Sequence, residues 1–344
     1  MVAHGADVMN TLAAHMVGLA VVLLPACAAR GAPQVDALVA ALTSEDAKVA
    51  EEARAKLEGM GAEVVPALFE KLPKADWTLK PRLLEVLSAN GREFAKQKLL
   101  KGNETENIYA ALVYELSVTC AAEDFDYDAP EFKAMVEALL RAIKSEDKNL
   151  RAAAGYALVY DEKSTVFFDH LHEIVPALIS CFDTELIIDR HNRGGPAEVV
   201  HIGIWIMLDA LIGDRLTYDE FEKRGPQGPQ LGKPGAGSSR AAFQKWLGSA
   251  LRADSVKMEA FRKEWSTWWN EHSQLSAAEI GKRMIERDLD LLQQAEKEPR
   301  KLDPVVVSSM LQTWTGEFLT TASEARAWWE ENKRRYVGPP LPKK

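Results

Sequence analysis

Apolar residues recur every three to four positions along most of the chain from residue 35 onward, the spacing that places them on one face of an α-helix. A polar turn containing Asp46 separates the first two apolar runs and offers an N-cap for the second. Gly59 and Gly61 then predict the end of that helix, since glycine favours the left-handed backbone found after helix C-termini. The apolar positions of these runs are Leu38, Leu42, Val49, Ala53 and Leu57.

The same pattern returns later in the chain. Residues 44–46, Ser-Glu-Asp, recur as residues 145–147, and residues 64–68, Val-Val-Pro-Ala-Leu, recur as Ile-Val-Pro-Ala-Leu at 174–178. An internal repeat of this kind indicates stacked helical hairpins, because one hairpin cannot bury its own apolar stripe. The alignment pairs Leu38 with Leu139, Leu42 with Ile143, Val49 with Leu150, Ala53 with Ala154 and Leu57 with Leu158.

This module resembles bacterial HEAT repeats, including those of the phycobilisome-lyase type. The resemblance implies an all-α fold, an α-solenoid of HEAT-like helical hairpins over residues 34–213. Between the two copies, residues 76–100 predict a helix pair broken at Asn90, and residues 107–116 predict another helix. Residues 196–211 are strongly apolar and predict a buried helix. HEAT arrays are mostly interaction scaffolds, so the resemblance implies a non-catalytic module that binds a protein partner.

Tryptophan is concentrated in a second part of the chain, residues 246–336, which predicts a Trp-rich helical segment. Its Trp-Trp-x-Glu pairs are similar to motifs that close the array in large exported bacterial HEAT-repeat proteins. Three tryptophans are spaced i, i+3 and i+4 on one helical face, which favours core packing on the preceding Leu-rich helix. The alternative is a carbohydrate- or peptide-binding protein or an enzyme with its site in this half. The five tryptophans in question are Trp265, Trp268, Trp269, Trp328 and Trp329.

The N-terminus predicts export. Residues 8–29 carry no Lys, Arg, Asp or Glu, and the apolar run 16–24 is shorter than the roughly 20 residues that span a bilayer as a helix. Residues 1–28 therefore resemble a signal peptide, with small residues from Ala26 onward for cleavage. Cleavage, lipidation at Cys27 and a single uncleaved anchor remain open. Each places the protein in the periplasm or cell envelope, and lipidation or an uncleaved anchor would attach it to the membrane through the N-terminus only.

The net charge of the chain excludes one class of partner. The formal charge of −9 argues against nucleic acid as a partner, since phosphate binding requires a basic face.

Two segments lack a helical pattern. Residues 214–245 are rich in Gly and Pro and predict a loop insertion, and residues 337–344 predict a disordered tail. Cys120 and Cys181 each lie in an apolar run, which favours two buried thiols over a disulfide between them.

No catalytic, cofactor-binding or metal-binding residue is predicted. His172 begins an H-E-x-x-H-like sequence, but Pro176 replaces the second zinc ligand. A metal site shared by histidines 170, 172, 191 and 201 is the less favoured alternative to caps and surface positions. The alternating acids from Asp124 to Asp128 lack the glycine and glutamate of a calcium loop and predict a solvated turn.

Overall fold

The structure is a computed structural model that describes residues 33–121, 125–159, 164–188, 198–199, 204, 208, 255–299 and 303–339. The predicted all-α class is confirmed over these residues, which are mostly helical. In chain order the helices of the first part are α1 (33–41), α2 (Ala47–Gly59), α3 (Val65–Lys71), α4 (Lys80–Asn90), α5 (Arg92–Lys101), α6 (Glu104–Cys120), α7 (Pro130–Ala142), α8 (Lys148–Val159), α9 (Ser164–Asp169) and α10 (Leu171–Cys181). The later helices are α11 (Ser255–His272), α12 (Ala277–Lys297), α13 (Pro304–Thr315) and α14 (Ala322–Asn332).

The two repeat copies form matching turns. The Asp46 carboxylate accepts the Lys48 amide at 2.9 Å and caps α2, and the Asp147 carboxylate accepts the Asn149 amide at 2.9 Å before α8. In each turn the preceding serine hydroxyl accepts the amide of the aspartate, at 3.2 Å and 3.1 Å. The backbone of Gly61 adopts the predicted left-handed conformation, whereas Gly59 is the last residue of α2. The Ser-Glu-Asp turn therefore forms the same local structure twice, whereas Pro66 lies in the first turn of α3 and its counterpart Pro176 lies inside α10.

Alternate helices of the first part pack in series: α2 contacts α4, α4 contacts α6, α6 contacts α8, and α8 contacts α10. The intervening α5 packs on both α6 and α7. The central helices are enclosed on all sides, since every residue of 83–88, 109–118 and 152–159 is buried. A helix that is apolar around its whole circumference belongs to the interior of a core. The inner helices thus leave no open face over these residues.

A short antiparallel sheet covers part of this core. Strand β1 (Ile187–Ile188) pairs with β2 (Glu198–Val199), and β1 contacts α4 at the other end of the series. The prediction of one helix over 196–211 is therefore wrong at its start, although residues 204 and 208 are helical and buried. The apolar pattern predicted the burial correctly, but β-branched residues in an apolar run also fit a strand.

The C-terminal helices dock on the first part. Helix α11 packs on α10, and α12 packs on both α13 and α14. The ring centroids of Phe167 and Trp314 lie 6.5 Å apart, and those of Phe168 and Tyr336 lie 6.2 Å apart. The expected docking of each Trp-rich helix on its preceding Leu-rich helix is not observed for α14, whose main contact is α12.

Several sequence predictions lie outside the described residues: the signal peptide at 1–28 with Cys27, the loop insertion at 214–245, and residues 340–344 of the predicted tail. Within the described parts of the chain, the helices are too short or too polar to cross a membrane. Cys120 and Cys181 do not pair with each other, as predicted. Cys181 is buried, which raises its thiol pKa to about 12, whereas Cys120 is only half-buried.

Candidate interaction surface on helix α11

Helix α11 is fixed to the first part of the protein by Trp265. This indole is 1% exposed and lies edge-on to Phe182, with ring centroids 4.7 Å apart. On its own helix it stacks against Phe261 at 5.8 Å. Aromatic pairs in these arrangements add stability beyond the apolar area they bury. Trp265 is a core residue, as the preferred interpretation of the sequence expected.

Charged groups strengthen the same junction. The Arg262 guanidinium lies 5.0 Å above the Phe182 ring and pairs with the Asp183 carboxylate at 3.1 Å. Lys148 pairs with the other carboxylate oxygen at 2.8 Å. Burial alone would raise the pKa of Asp183, but the hydrogen bond from Lys148 and the two positive charges outweigh it and hold that pKa below its usual value. Helices α8, α10 and α11 therefore meet at one ionised carboxylate.

Trp269 lies at the edge of this junction. Its indole is half-buried and meets the His172 ring edge-on, with centroids 5.4 Å apart. The Nε2 atom of His172 is 2.9 Å from the Leu275 carbonyl oxygen. Through these two contacts, His172 joins the start of α10 to the turn after α11. Trp269 therefore contributes to packing and presents only part of its ring to solvent.

Trp268 lies next to Trp269, with ring centroids 6.4 Å apart, at the edge of the side of α11 that faces away from the junction. Its half-buried indole stacks on His272 at 4.5 Å and forms part of a shallow, open depression of about 410 Å³. A second open depression, of about 430 Å³, adjoins it toward the start of the helix. The first is lined by Ala260, Lys263, Glu264, Thr267, Trp268 and Glu271. The second shares Ala260 and Lys263 and adds Ser255, Val256 and Glu259, and these nine residues are termed the α11 outer face.

The α11 outer face combines exposed apolar, small and charged side chains. Val256 is 86% exposed and supplies the apolar part of the face. Small side chains at Ala260 and Thr267 allow another backbone to approach closely. Three glutamates surround a single lysine, so the face has a net negative charge. Small-molecule sites usually enclose most of their ligand, whereas these depressions are shallow and open.

The second tryptophan pair, Trp328 and Trp329, packs within the C-terminal helices. Trp329 is buried and meets Tyr336 edge-on at 5.6 Å, and the Tyr336 hydroxyl donates to the Trp314 carbonyl at 2.8 Å. Trp328 is half-buried and stacks on Trp329 at 6.4 Å. Across the described ranges, no ring contact joins this pair to Trp268 or Trp269. The five tryptophans therefore do not form one aromatic site.

Of the four histidines considered for a metal site, His170 and His172 lie within the described residues, and both make other contacts. The Nδ1 atom of His170 is 3.3 Å from a carboxylate oxygen of Glu173, and Lys144 pairs with the other oxygen at 2.6 Å. His172 contacts Leu275 as above, and His191 and His201 lie outside the described residues. Within the described ranges, no group of His, Cys, Asp and Glu side chains is arranged to hold a metal ion.

Sequence reasoning identified Trp268 but missed the polar residues around it. Lys263, Thr267 and Glu271 repeat every four residues along α11, which is the spacing of a single helical stripe, and that spacing was available as a signal. Comparisons with models of protein families, with curated proteins and with solved structures find no match.

Proposed function

We propose that the protein is a non-catalytic protein-interaction module of the cell envelope, and that it binds its protein partner through the α11 outer face. The observation that supports this most directly is the division of α11 into two sides. Trp265 fixes one side in the core, Val256 is exposed on the other, and the half-buried Trp268 lies at the edge between them. A firmly held helix that presents an exposed apolar residue and a partly exposed aromatic ring can serve as a docking surface.

The architecture we propose is a HEAT-like array of helical hairpins closed by the Trp-rich helices. The serial packing of α2, α4, α6, α8 and α10 and the matching caps at Asp46 and Asp147 support it. HEAT arrays commonly bind partners along their inner helices, but here α4, α6 and α8 are enclosed within the described core. This enclosure is the reason to place the partner on α11.

The charge of the surface suggests the chemistry of the partner. Glu259, Glu264 and Glu271 outnumber Lys263 on the face, so a segment bearing Lys or Arg fits it better than an acidic one. The size and openness of the face favour a helix or an extended segment of protein. Complementary charge would raise the association rate, and this contribution would weaken as salt increases.

Site-specific photo-crosslinking in cells tests the proposal. A photoreactive phenylalanine analogue replaces Lys263 on the outer face, and a matched control replaces Glu286, an exposed residue of α12. We expect one protein adduct from position 263 that is absent from position 286 and is lost when Trp268→Ala is added. Equal adducts from both positions, or an adduct insensitive to Trp268→Ala, would contradict the proposal.

Export is part of the same proposal. The uncharged segment 8–29 supports it, and Cys27 is the residue that would carry a lipid anchor. Fractionation of cells expressing the full chain, with mass spectrometry of its N-terminus, tests both. An intact N-terminus in the cytosolic fraction would refute export, and unchanged membrane retention of Cys27→Ala would refute lipidation.

Carbohydrate binding is the second function that an observation supports. The partly exposed Trp268 ring lies beside Glu264 and Glu271, a pairing of aromatic and carboxylate groups that suits a sugar. Titration of oligosaccharides against tryptophan fluorescence distinguishes the two. A saturable change that Trp268→Ala abolishes without lowering the melting temperature would favour carbohydrate over protein.

A further inference from the structure

Helix α12 buries a carboxylate in its apolar face. The side chain of Asp288 is 0% exposed, among core residues of the same helix that include Ile285, Leu289 and Leu292. Its Oδ1 atom accepts from the Arg287 guanidinium, with distances of 2.7 Å to Nε and 2.6 Å to Nη2. Its Oδ2 atom is buried and has no hydrogen-bond partner among the residues that the structure describes. One half of the carboxylate is therefore paired and the other half is not.

Within the described ranges, the elements packed against α12 place no compensating charge beside Asp288. Helix α13 contains no charged residue, and its buried Ser308 hydroxyl also has no partner among the described residues. On α14 the charged residues are all exposed, and Arg326 pairs with Asp290 at 2.7 Å. The charged groups of neighbouring elements are Glu324, Arg326, Glu330 and Glu331 on α14, Lys333, Arg334 and Arg335 after it, and Asp169, His170 and Glu173 at the α9–α10 corner.

An ionised carboxylate in this position is costly. Burial disfavours the charged form and raises the pKa of Asp288 to about 6, although the charge and hydrogen bonds of Arg287 act in the opposite direction. A partly satisfied buried charge is often less stable than a neutral group of the same shape. The protonated acid, in contrast, requires much less solvation.

We propose that Asp288 makes the unit formed by α12, α13 and α14 sensitive to pH, so that the unit packs tightly when this side chain is protonated and loosens when it is ionised. The unit meets the first part of the protein through Phe167 with Trp314 and through Phe168 with Tyr336. Loosening would weaken both contacts. The proposal concerns a different surface from the α11 outer face and does not depend on it.

The sign follows from linkage. A folded-state pKa above the unfolded value of about 3.9 means that the folded protein holds the proton more tightly. The contribution of Asp288 to stability is therefore greatest below about pH 4 and is lost as pH rises through about 6. Above neutral pH its unfavourable effect is constant.

Melting temperatures of the full chain between pH 4.5 and 7.5 test the proposal with Asp288→Asn, which mimics the protonated acid. We expect the melting temperatures of the variant and the natural protein to differ least at pH 4.5, and the variant to melt roughly 2–4 °C higher at pH 7.5. Hydrogen exchange should show slower opening of α12 and α13 in the variant at pH 7.5. The control is Asp290→Asn, whose exposed carboxylate should give no such difference.

Three outcomes would overturn the proposal: a lower melting temperature of Asp288→Asn at pH 7.5, a difference from the natural protein that does not change with pH, or an equal effect of Asp290→Asn. If Asp288→Asn does not fold, Arg287→Gln provides the second test. Removal of the opposing positive charge should move the pH-dependent change in exchange to higher pH, and an unmoved transition would also refute the proposal.

Discussion

Residues at matching positions of the sequence repeat differ in how deeply they are buried. Val49 and Leu150 occupy matching positions of the repeat, yet Val49 is 43% exposed and Leu150 is 9% exposed. The difference arises from position in the series, because α8 lies between α6 and α10, whereas α2 lies at the end and contacts α4. Repeat position predicts the conformation of a residue, and the number of neighbouring helices decides how much of it is covered.

Truncation of the repeat leucines should be strongly destabilising. Leu57 and Leu158 end equivalent helices and are both fully buried, so Leu57→Ala and Leu158→Ala should each lower the free energy of unfolding by about 2–5 kcal/mol. Chemical denaturation measures the loss. The control is Leu100→Ala at an exposed position, where the change should stay within about 0.5 kcal/mol. A loss below about 1 kcal/mol at both leucines would contradict the repeat alignment.

The tryptophans of α11 should respond differently to the same substitution. Trp265→Ala removes a buried ring and its contacts with Phe182 and Phe261, which should cost about 3–5 kcal/mol of unfolding free energy. Trp268→Ala removes a half-buried ring from the outer face and should cost clearly less. Equal losses in denaturation would show that the two sides of α11 are packed alike, contrary to the contacts described above.

At the scale of elements, a hydrogen bond joins two loops that are distant in sequence. The indole Nε1 atom of Trp77, just before α4, donates to the Asp147 carboxylate at 2.6 Å. Asp147 uses its other oxygen to cap α8. The Lys80 ammonium lies above the Trp77 ring at 5.0 Å and near the Tyr109 ring at 5.7 Å. The start of α4 is therefore held to the start of α8 across α6.

Substitution of the two matching caps measures how much the hydrogen bond between Trp77 and Asp147 contributes to stability. Asp46→Ala removes only an N-cap and should cost about 1 kcal/mol of unfolding free energy. Asp147→Ala removes a cap and the Trp77 partner, so its cost should be about twice as large. In the background of Trp77→Phe, Asp147→Ala should cost about as much as Asp46→Ala. An unchanged excess in that background would assign the difference to the cap alone.

The sequence predicted individual helices and caps better than the packing contacts between them. The Asn90–Gly91 break and the cap at Asp46 depend on neighbouring residues, and both occur as expected. The placement of β1 against α4 and of α14 on α12 depends on contacts between distant parts of the chain. Periodicity indicates which face of an element is apolar without specifying which surface covers it. The Trp265 side of α11 was predictable for the same reason, whereas the spacing of Lys263, Thr267 and Glu271 indicates a polar stripe without showing that depressions lie along it.

At the scale of the whole molecule, the two halves are joined at Asp183. Arg262→Ala should remove an ion pair and a stacked guanidinium, lowering the free energy of unfolding by about 1–2 kcal/mol at neutral pH. Arg262→Lys, which keeps the charge, should recover part of this loss.

The effect of Arg262→Ala should also depend on pH. Because the pKa of Asp183 is lowered in the folded protein, its favourable contribution is present above about pH 4 and is lost as pH falls through the lowered pKa. The difference between Arg262→Ala and the natural protein should therefore narrow in acid. Melting temperatures from pH 3 to 7 measure this change, and a constant difference would assign the loss to packing over Phe182.

The contact of β1 with α4 has a consequence for the way the protein unfolds. In an open array, each repeat touches only its neighbours, so terminal repeats fray independently and arrays of different length can remain folded. Here a strand that follows α10 contacts α4 near the start of the series, so the helices at the two ends of the series share one core. The chain should therefore unfold in a single cooperative step, and a fragment ending after α10 should lose order at α4 as well as at its new terminus. Closure of this kind sets the number of hairpins, because an added or deleted hairpin would separate β1 from the helix that it covers.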